Sequence, residues 1–283
     1  MSAIIKPTNG HSGSPPAATG ASRPVTVPDF LAARSRGTRL TMLTAYDFSM
    51  ARLLDSAGVD GILVGDSLGM VVQGQADSLA VTLDEMIYHT RMVMRGCRRA
   101  LVVVDMPFMS FQISPQQALE NAGRLVKEGG APAVKLEGGV RSAEMIRAIT
   151  TADIPVMGHV GLTPQSVRRL GGFRVQRDEA KLLEDALAVE KAGAFAVVLE
   201  CLPNDVAQRI TNALKIPTIG IGAGAGCDGQ ILVTYDMLGL YDELRPRFVK
   251  QYAEVGRQIV QAATDYCREV REGQFPAAEH GFR

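Results

Sequence analysis

The feature that most constrains this chain is a succession of eight short apolar runs, each separated from the next by a stretch with helical spacing or cap signals. In order they are LTMLTA (40–45), GILVGD (61–66), LVVVDM (101–106), AVKLE (133–137), IPVMGH (154–159), FAVVLE (195–200), IPTIGI (216–221) and ILVTYD (231–236). The runs are too short for helices and rich in β-branched residues, and their alternation with helical segments implies parallel strands joined by crossover helices. Near-continuous apolar character, rather than strict alternation, is expected of strands buried on both faces. Eight such βα units predict an α/β protein, a single (β/α)8 TIM barrel, and 283 residues accommodate one.

The helix boundaries are readable between the runs. Thr82-x-x-Glu85 and Ser114-Pro115-x-Gln117 have the form of capping boxes, the second with Pro at the first helical position. Gly58, the pair Gly129 and Gly130, and Gly193 stand just past helical stretches, where left-handed C-caps fall. A last helix is predicted over roughly 246 to 271. It spaces Phe248, Tyr252, Val255, Ile259, Ala263, Tyr266 and Val270 along one apolar stripe. Packing of that stripe on its own barrel is the first expectation, and an oligomer contact is the second. Residues 1–26 are rich in Gly, Ser, Pro, Ala and Thr and carry only Lys6 and Arg23 as charges, the composition of a disordered N-terminal arm. The reading is therefore an arm over 1–26, a catalytic barrel over 27–272 and a C-terminal tail over 273–283.

Thirty Lys plus Arg balance thirty Asp plus Glu. A neutral chain has no long-range attraction for nucleic acid or a membrane surface, so a small-molecule partner is expected. No run reaches the length of a transmembrane helix. Cys97, Cys201, Cys227 and Cys267 are scattered without a CxxC pair, which argues against a disulfide framework or structural zinc and fits a cytoplasmic setting.

In a barrel of this kind chemistry lies at the C-terminal ends of the strands. Five consecutive runs end there in polar residues: Asp66 with Ser67, Asp105, Lys135 with Glu137, His159, and Glu200. Any one of these could serve as a helix cap or a loop ion pair. Together they exceed what a core tolerates, because every buried charge needs pairing to offset its desolvation. Asp66, Asp105 and Glu137 are hard oxygen donors suited to Mg²⁺, a cation that keeps waters and binds substrate oxygens. His159 is read as a hydrogen-bonding residue, since His89, the other central histidine, falls inside a predicted helix. Lys135 and Glu137 are two apart and share a strand face. Lys135 could form a Schiff base or hold a carboxylate, and its acidic neighbours favour the charged form and the second use. Glu200 lies between FAVVL and Cys201-Leu202-Pro203. Those apolar surroundings predict a desolvated carboxylate with a pKa moved toward about 6 to 7, the range of a general base. Gly224-x-Gly226-x-x-Gly229 formally matches a dinucleotide fingerprint, but it precedes a strand instead of opening a helix, so a tight turn or close approach to a ligand is the better reading.

The signatures VGDSLGMVVQG, VVVDMPFMSFQ, AVKLEGG, PVMGHVGLTPQS, VLECLP and IPTIGIGAGAGCDGQILV resemble the ketopantoate hydroxymethyltransferase family, in the family's order, over about 28 to 272. One departure is visible: the family has a glycine between Gln and Arg in its GG-aromatic-RVQGR loop, and this chain reads GGFRVQRD (171–178). The resemblance implies a barrel of the phosphoenolpyruvate/pyruvate type and a Mg²⁺-dependent enzyme of pantothenate biosynthesis. Such an enzyme transfers a hydroxymethyl group from 5,10-methylenetetrahydrofolate to 3-methyl-2-oxobutanoate and assembles as a homo-oligomer, commonly a decamer. It further implies Asp66 and Asp105 as metal ligands, Glu137 as a metal-associated carboxylate, Ser67 and Lys135 as substrate contacts and Glu200 as the proton acceptor. His159, by its own position at a strand end, could hydrogen-bond the new hydroxyl or its precursor. A Mg²⁺-dependent 2-oxo acid lyase or mutase on the same barrel is the alternative.

Overall fold

Successive residues of a strand point to opposite faces, so an uninterrupted apolar run must feed two different cores. The computed structural model, which describes residues 23–241, 243 and 246–282, separates them in this way. Ile62, Val64, Val102, Val104, Val134, Leu136, Val156, Val160, Val197 and Leu199 pack outward with the helices. Met42, Leu63, Leu101, Val103, Ala133, Met157, Ala196, Val198, Ile219 and Ile231 form a second core inside the ring of strands.

The elements in chain order are α1 (Val27–Arg36), β1 (Leu40–Thr44), α2 (Phe48–Ser56), β2 (Gly61–Val64), α3 (Leu68–Val71), α4 (Leu83–Gly96), β3 (Leu101–Asp105), α5 (Pro115–Arg124), β4 (Ala133–Glu137) and α6 (Ala143–Thr151). They continue with β5 (Val156–Gly161), α7 (Val167–Leu170), α8 (Glu179–Lys191), β6 (Ala196–Glu200), α9 (Asn204–Ala213), β7 (Thr218–Ile221), β8 (Gly229–Leu232), α10 (Thr234–Leu238) and α11 (Val255–Arg271). The strands close into a barrel in sequence order, all pairs parallel, with β8 returning to β1 through Leu40 opposite Gly229. The predicted fold class and eight strands are therefore observed. Thr82 and Glu85 form the full capping box, while Ser114 accepts from the Gln117 amide and the Gln117 side chain reaches back to Ile113 instead of Ser114. Gly58, Gly130 and Gly193 take the positive φ expected of helix ends.

Four expectations need correction. The eighth strand begins two residues early and ends at Leu232, because Thr234 leaves the ladder: its amide donates to Thr44 Oγ1 (3.1 Å) and its hydroxyl to the Thr44 carbonyl (2.6 Å), and a helix starts there. The link from β7 to β8 is a loop without a helix, so the eight strands are not followed by eight equal βα units. Glycine is a poor helix former, and Gly222 and Gly224 adopt φ of 61° and 77° against the Phe248 ring and the Asn204 side chain, so the close approach made by this loop is to the chain's own residues. The last helix starts at Val255, not near 246, which leaves Phe248 and Tyr252 outside it. Finally, α11 buries no residue, and Ile259, Val260, Tyr266 and Val270 are exposed, so its stripe does not pack on its own barrel.

The N-terminal end of the barrel is closed by α1, whose Phe30 is wholly buried and meets the Phe195 ring edge-on at 6.0 Å. Residues 23–26 of the proposed arm are tied to this end: Arg23 pairs with Asp29, and the Val25 amide donates to the Arg99 carbonyl. Residues 1–22 lie outside the described residues. Around the same end Arg34 reaches Asp228 (2.5 Å) and the carbonyls of Thr211 and Leu214, while Arg99 reaches Asp60 (3.0 Å) and the Val59 carbonyl.

Candidate active site

The interior face stays apolar through two layers and then turns polar. Two residues beyond Met42, Val103, Ala133, Met157 and Val198 along the same face stand Thr44, Asp105, Lys135, His159 and Glu200, with Glu137 one further step up β4. Strand pairing sets Asp105 beside Lys135 and Glu137 beside His159. All of these line one cavity of about 430 Å³ at the C-terminal mouth, together with Asp66, Ser67, Ser78, Asp236 and an outer wall that includes Phe173, Val175, Arg247 and Phe248. The structure thus brings together every residue singled out from the strand ends.

The contacts are short and directional. Lys135 Nζ lies 2.6 Å from Asp105 Oδ1 and 3.3 Å from His159 Nδ1. Asp105 Oδ2 accepts from the Asp66 amide at 3.1 Å, and Asp66 Oδ2 accepts from Gln165 Nε2 at 2.9 Å. Glu137 Oε2 accepts from the Gln165 amide at 3.1 Å. Since an ammonium can only donate, His159 Nδ1 is the acceptor and Nε2 carries the proton of the neutral ring. That Nε2 lies 3.1 Å from Glu200 Oε2, off the line of a hydrogen bond, and is left without an aligned partner.

Three carboxylates, Asp66, Asp105 and Glu137, are buried here against one buried ammonium, Lys135. Burial, then the neighbouring Asp105, pushes Asp66 up to about 7, and burial with Asp66 beside it pushes Glu137 well above the usual carboxylate range. Burial works to lower Lys135, but Asp105, Glu137 and Asp66 outweigh it and raise it, so the lysine is charged, as its neighbours in the sequence implied. Burial and then Lys135 lower His159, which agrees with the neutral ring. Burial is deepest at Asp66, Asp105 and Glu137; the Glu200 side chain keeps 16% of its surface exposed, against 3% for Glu137. Among the described residues no three His, Cys, Asp or Glu side chains are arranged to hold a metal ion unaided.

Several site residues escaped the sequence reading. Tyr46 follows the first strand and is wholly buried; its hydroxyl pairs with Ser67 Oγ at 2.9 Å, and burial raises it. The signal was a polar residue just past a strand, as with Asp66 and Ser67. Gln165 lies in the turn Pro164–Ser166 after β5, and Ser78 in the loop after α3; no periodicity marks either. His89 lies on α4 as expected and donates from Nδ1 to the Tyr46 carbonyl at 2.7 Å.

Comparison with known proteins places this geometry. A family model described as ketopantoate hydroxymethyltransferase matches residues 24–278. A protein of Clostridium beijerinckii named 3-methyl-2-oxobutanoate hydroxymethyltransferase is 58% identical over 262 residues, covering 91% of this chain and 95% of that protein. One of the same name from Moorella thermoacetica is 58% identical over 263 residues, covering 92% and 98%. Among solved structures, phosphonopyruvate hydrolase in complex with oxalate and Mg²⁺ superposes with a TM-score of 0.60 at 15% identity over 89% of this chain and 92% of that one. A 2,3-dimethylmalate lyase of the PEP mutase/isocitrate lyase superfamily gives 0.58 at 17% identity, covering 90% and 91%. These two likenesses are of fold.

Proposed function

Because the chain belongs to the ketopantoate hydroxymethyltransferase family, we propose a division of labour among the residues of its barrel mouth. The reaction is the transfer of a hydroxymethyl group to 3-methyl-2-oxobutanoate, giving 2-dehydropantoate, a step of pantothenate biosynthesis. The single observation that carries the assignment is the charge imbalance of three buried carboxylates around one buried ammonium.

That imbalance fits a divalent cation. Asp66 and Asp105 are adjacent hard oxygen donors and would hold Mg²⁺, with Glu137 close by; two carboxylates, with water and substrate oxygens completing the shell, is the habit of this ion. When bound, Mg²⁺ supplies a Lewis acid for the oxo group of the substrate. Lys135 directs N–H bonds to Asp105 and His159 and has a third to offer; with the Ser67 hydroxyl it holds the substrate carboxylate. Glu200 takes the proton from the branched carbon, and the neutral His159 has its Nε2–H beside it and free to meet the new hydroxyl, whose oxygen comes from water because the folate brings only a methylene carbon.

The cavity is far larger than a small branched oxo acid fills, and 5,10-methylenetetrahydrofolate as one-carbon donor occupies the rest, against the rings of Phe173 and Phe248. The exposed stripe of α11 supports a homo-oligomer, with a decamer as the family's habit. Among the described residues no helix is long and apolar enough to cross a membrane. No membrane or nucleic-acid partner is proposed, and the scattered cysteines without a CxxC pair fit the cytoplasmic setting proposed for the enzyme.

The test is proton NMR of 3-methyl-2-oxobutanoate in D₂O with enzyme and Mg²⁺, with and without methylenetetrahydrofolate and with EDTA as control. We expect metal-dependent loss of the C3 proton signal, and 2-dehydropantoate once folate is present. Cleavage of a 2-oxo acid with no one-carbon donor would favour the lyase alternative, and unchanged exchange in Glu200→Gln would move the base to another residue.

A further inference from the structure

Gln165 has no part in the chemistry above, yet it is buried and touches both halves of the acidic cluster. Its Nε2 donates to Asp66 Oδ2 (2.9 Å) and to the Met106 carbonyl (3.0 Å), its backbone amide donates to Glu137 Oε2 (3.1 Å), and its Oε1 accepts from Gln112 Nε2 (3.0 Å). A side-chain amide can turn over and exchange its oxygen and nitrogen unless its partners forbid it. Here both ends of the chain of bonds are backbone groups of fixed sense. The Met106 carbonyl can only accept, and the Phe111 amide, which donates to Gln112 Oε1 at 3.3 Å, can only donate. The two amides between them are locked in one orientation, and what faces Asp66 is an N–H.

We propose that Gln165 is a positioning residue for Asp66, oriented in turn by Gln112: the relay engages one carboxylate oxygen of Asp66 and leaves its other oxygen to a divalent cation. The inference rests on the reading of Asp66 and Asp105 as the residues that hold the ion. The turn bearing Gln165 does not depend on the relay. Arg141 donates to Ser166 Oγ at 2.9 Å, and Thr163 and Ser166 bond to each other at 2.9 Å, so the backbone is pinned from the far side. Disturbing Gln112 therefore removes the amide's orienting bond without moving the turn.

Mn²⁺ alone is the probe, titrated into the whole chain while the free ion is followed by electron paramagnetic resonance, with circular dichroism as a check on folding. Gln165→Met removes the amide at similar volume and is expected to weaken binding about 10- to 100-fold, the usual cost of losing a hydrogen-bond partner of a ligand. Gln112→Glu is the sharper variant. Its carboxylate still accepts from Phe111 but sets an acceptor against the Gln165 oxygen, so the Gln165 amide loses its orienting bond and is pushed off its contacts with Asp66 and the Met106 carbonyl. Simple charge addition predicts tighter cation binding in this variant, whereas the relay predicts weaker binding, and weaker than in Gln112→Met. Wild-type or tighter affinity in Gln112→Glu, with Asp66→Asn impaired, overturns the relay alone. Affinity left intact by Asp66→Asn overturns the reading of the ion site and the relay with it.

Discussion

The two ends of this barrel are built from the same strands and solve opposite problems. At the N-terminal end α1 inserts Phe30 into the ring, and the charged groups around it are matched: Arg34 with Asp228 and two carbonyls, Arg99 with Asp60, and Asp55 accepting from the amides of residues 98 to 100. At the C-terminal end no helix among the described residues enters, the interior opens into a cavity, and buried carboxylates outnumber the buried cation. Satisfied polar groups contribute stability, and unmatched ones cost it. The first end therefore holds the fold together, while the second carries buried carboxylates in excess, a strained charge state that the proposed cation would balance.

The hardest way to break this contrast is at the plug. Phe30→Ala should cost about 3–5 kcal/mol by loss of apolar burial and a cavity against Phe195, with the kcat of the folded fraction unchanged. Denaturant unfolding together with active-site titration checks both halves. A loss of kcat per folded molecule would mean that the ends are coupled. The mouth should respond in reverse. Glu137→Gln relieves a buried carboxylate crowded by Asp66, so we expect activity to fall about 100-fold while the melting temperature rises by a few degrees. A lower melting temperature would show that Glu137 is matched after all. Arg34→Ala returns to the plug end: it leaves Asp228 without its guanidinium and frees the carbonyls of Thr211 and Leu214, a loss of about 2 kcal/mol with little effect on turnover.

Much of this division was legible in the residues. The runs at 101–106 and 133–137 show apolar residues at every second place ending in Asp105, Lys135 and Glu137, and parity alone carries those three to the interior face. What periodicity does not encode was missed. Tyr46 and Gln165 act from the segments beyond strands, and Asp60 and Asp228 each precede a strand-opening glycine; their partners are remote in sequence, as with Arg34 and Asp228. The burial expected at Glu200 from its apolar neighbours is incomplete: Glu137 and Glu200 both end their strands, but Glu137 is enclosed by the turn that carries Gln165, while the Glu200 side chain keeps 16% of its surface exposed. The stripe of α11 was read correctly as apolar, but a stripe cannot say whose surface it covers.

The smallest test bears on where the strained end stops. Asp236 lies in the first turn of α10 and lines the cavity, and burial pushes it up to about 6. A carboxylate whose pKa is raised in the folded state is easier to accommodate protonated than ionised. Its contribution is neutral below the unfolded value near 3.8, becomes unfavourable as pH rises toward 6, and is constant above that. Asp236→Asn removes the dependence, so the variant should match the wild type near pH 3.5 and exceed it at pH 7 by about 1 kcal/mol, a figure reduced from the full linkage value because the group is only half-buried. Denaturant midpoints measured across that interval give the difference curve directly. A gap that opens between pH 4 and 6 extends the strained end of the barrel outward to α10. A gap that is flat across the whole range would confine it to the ring of strand-end residues, and Asp236 would then belong with the matched groups of the other end.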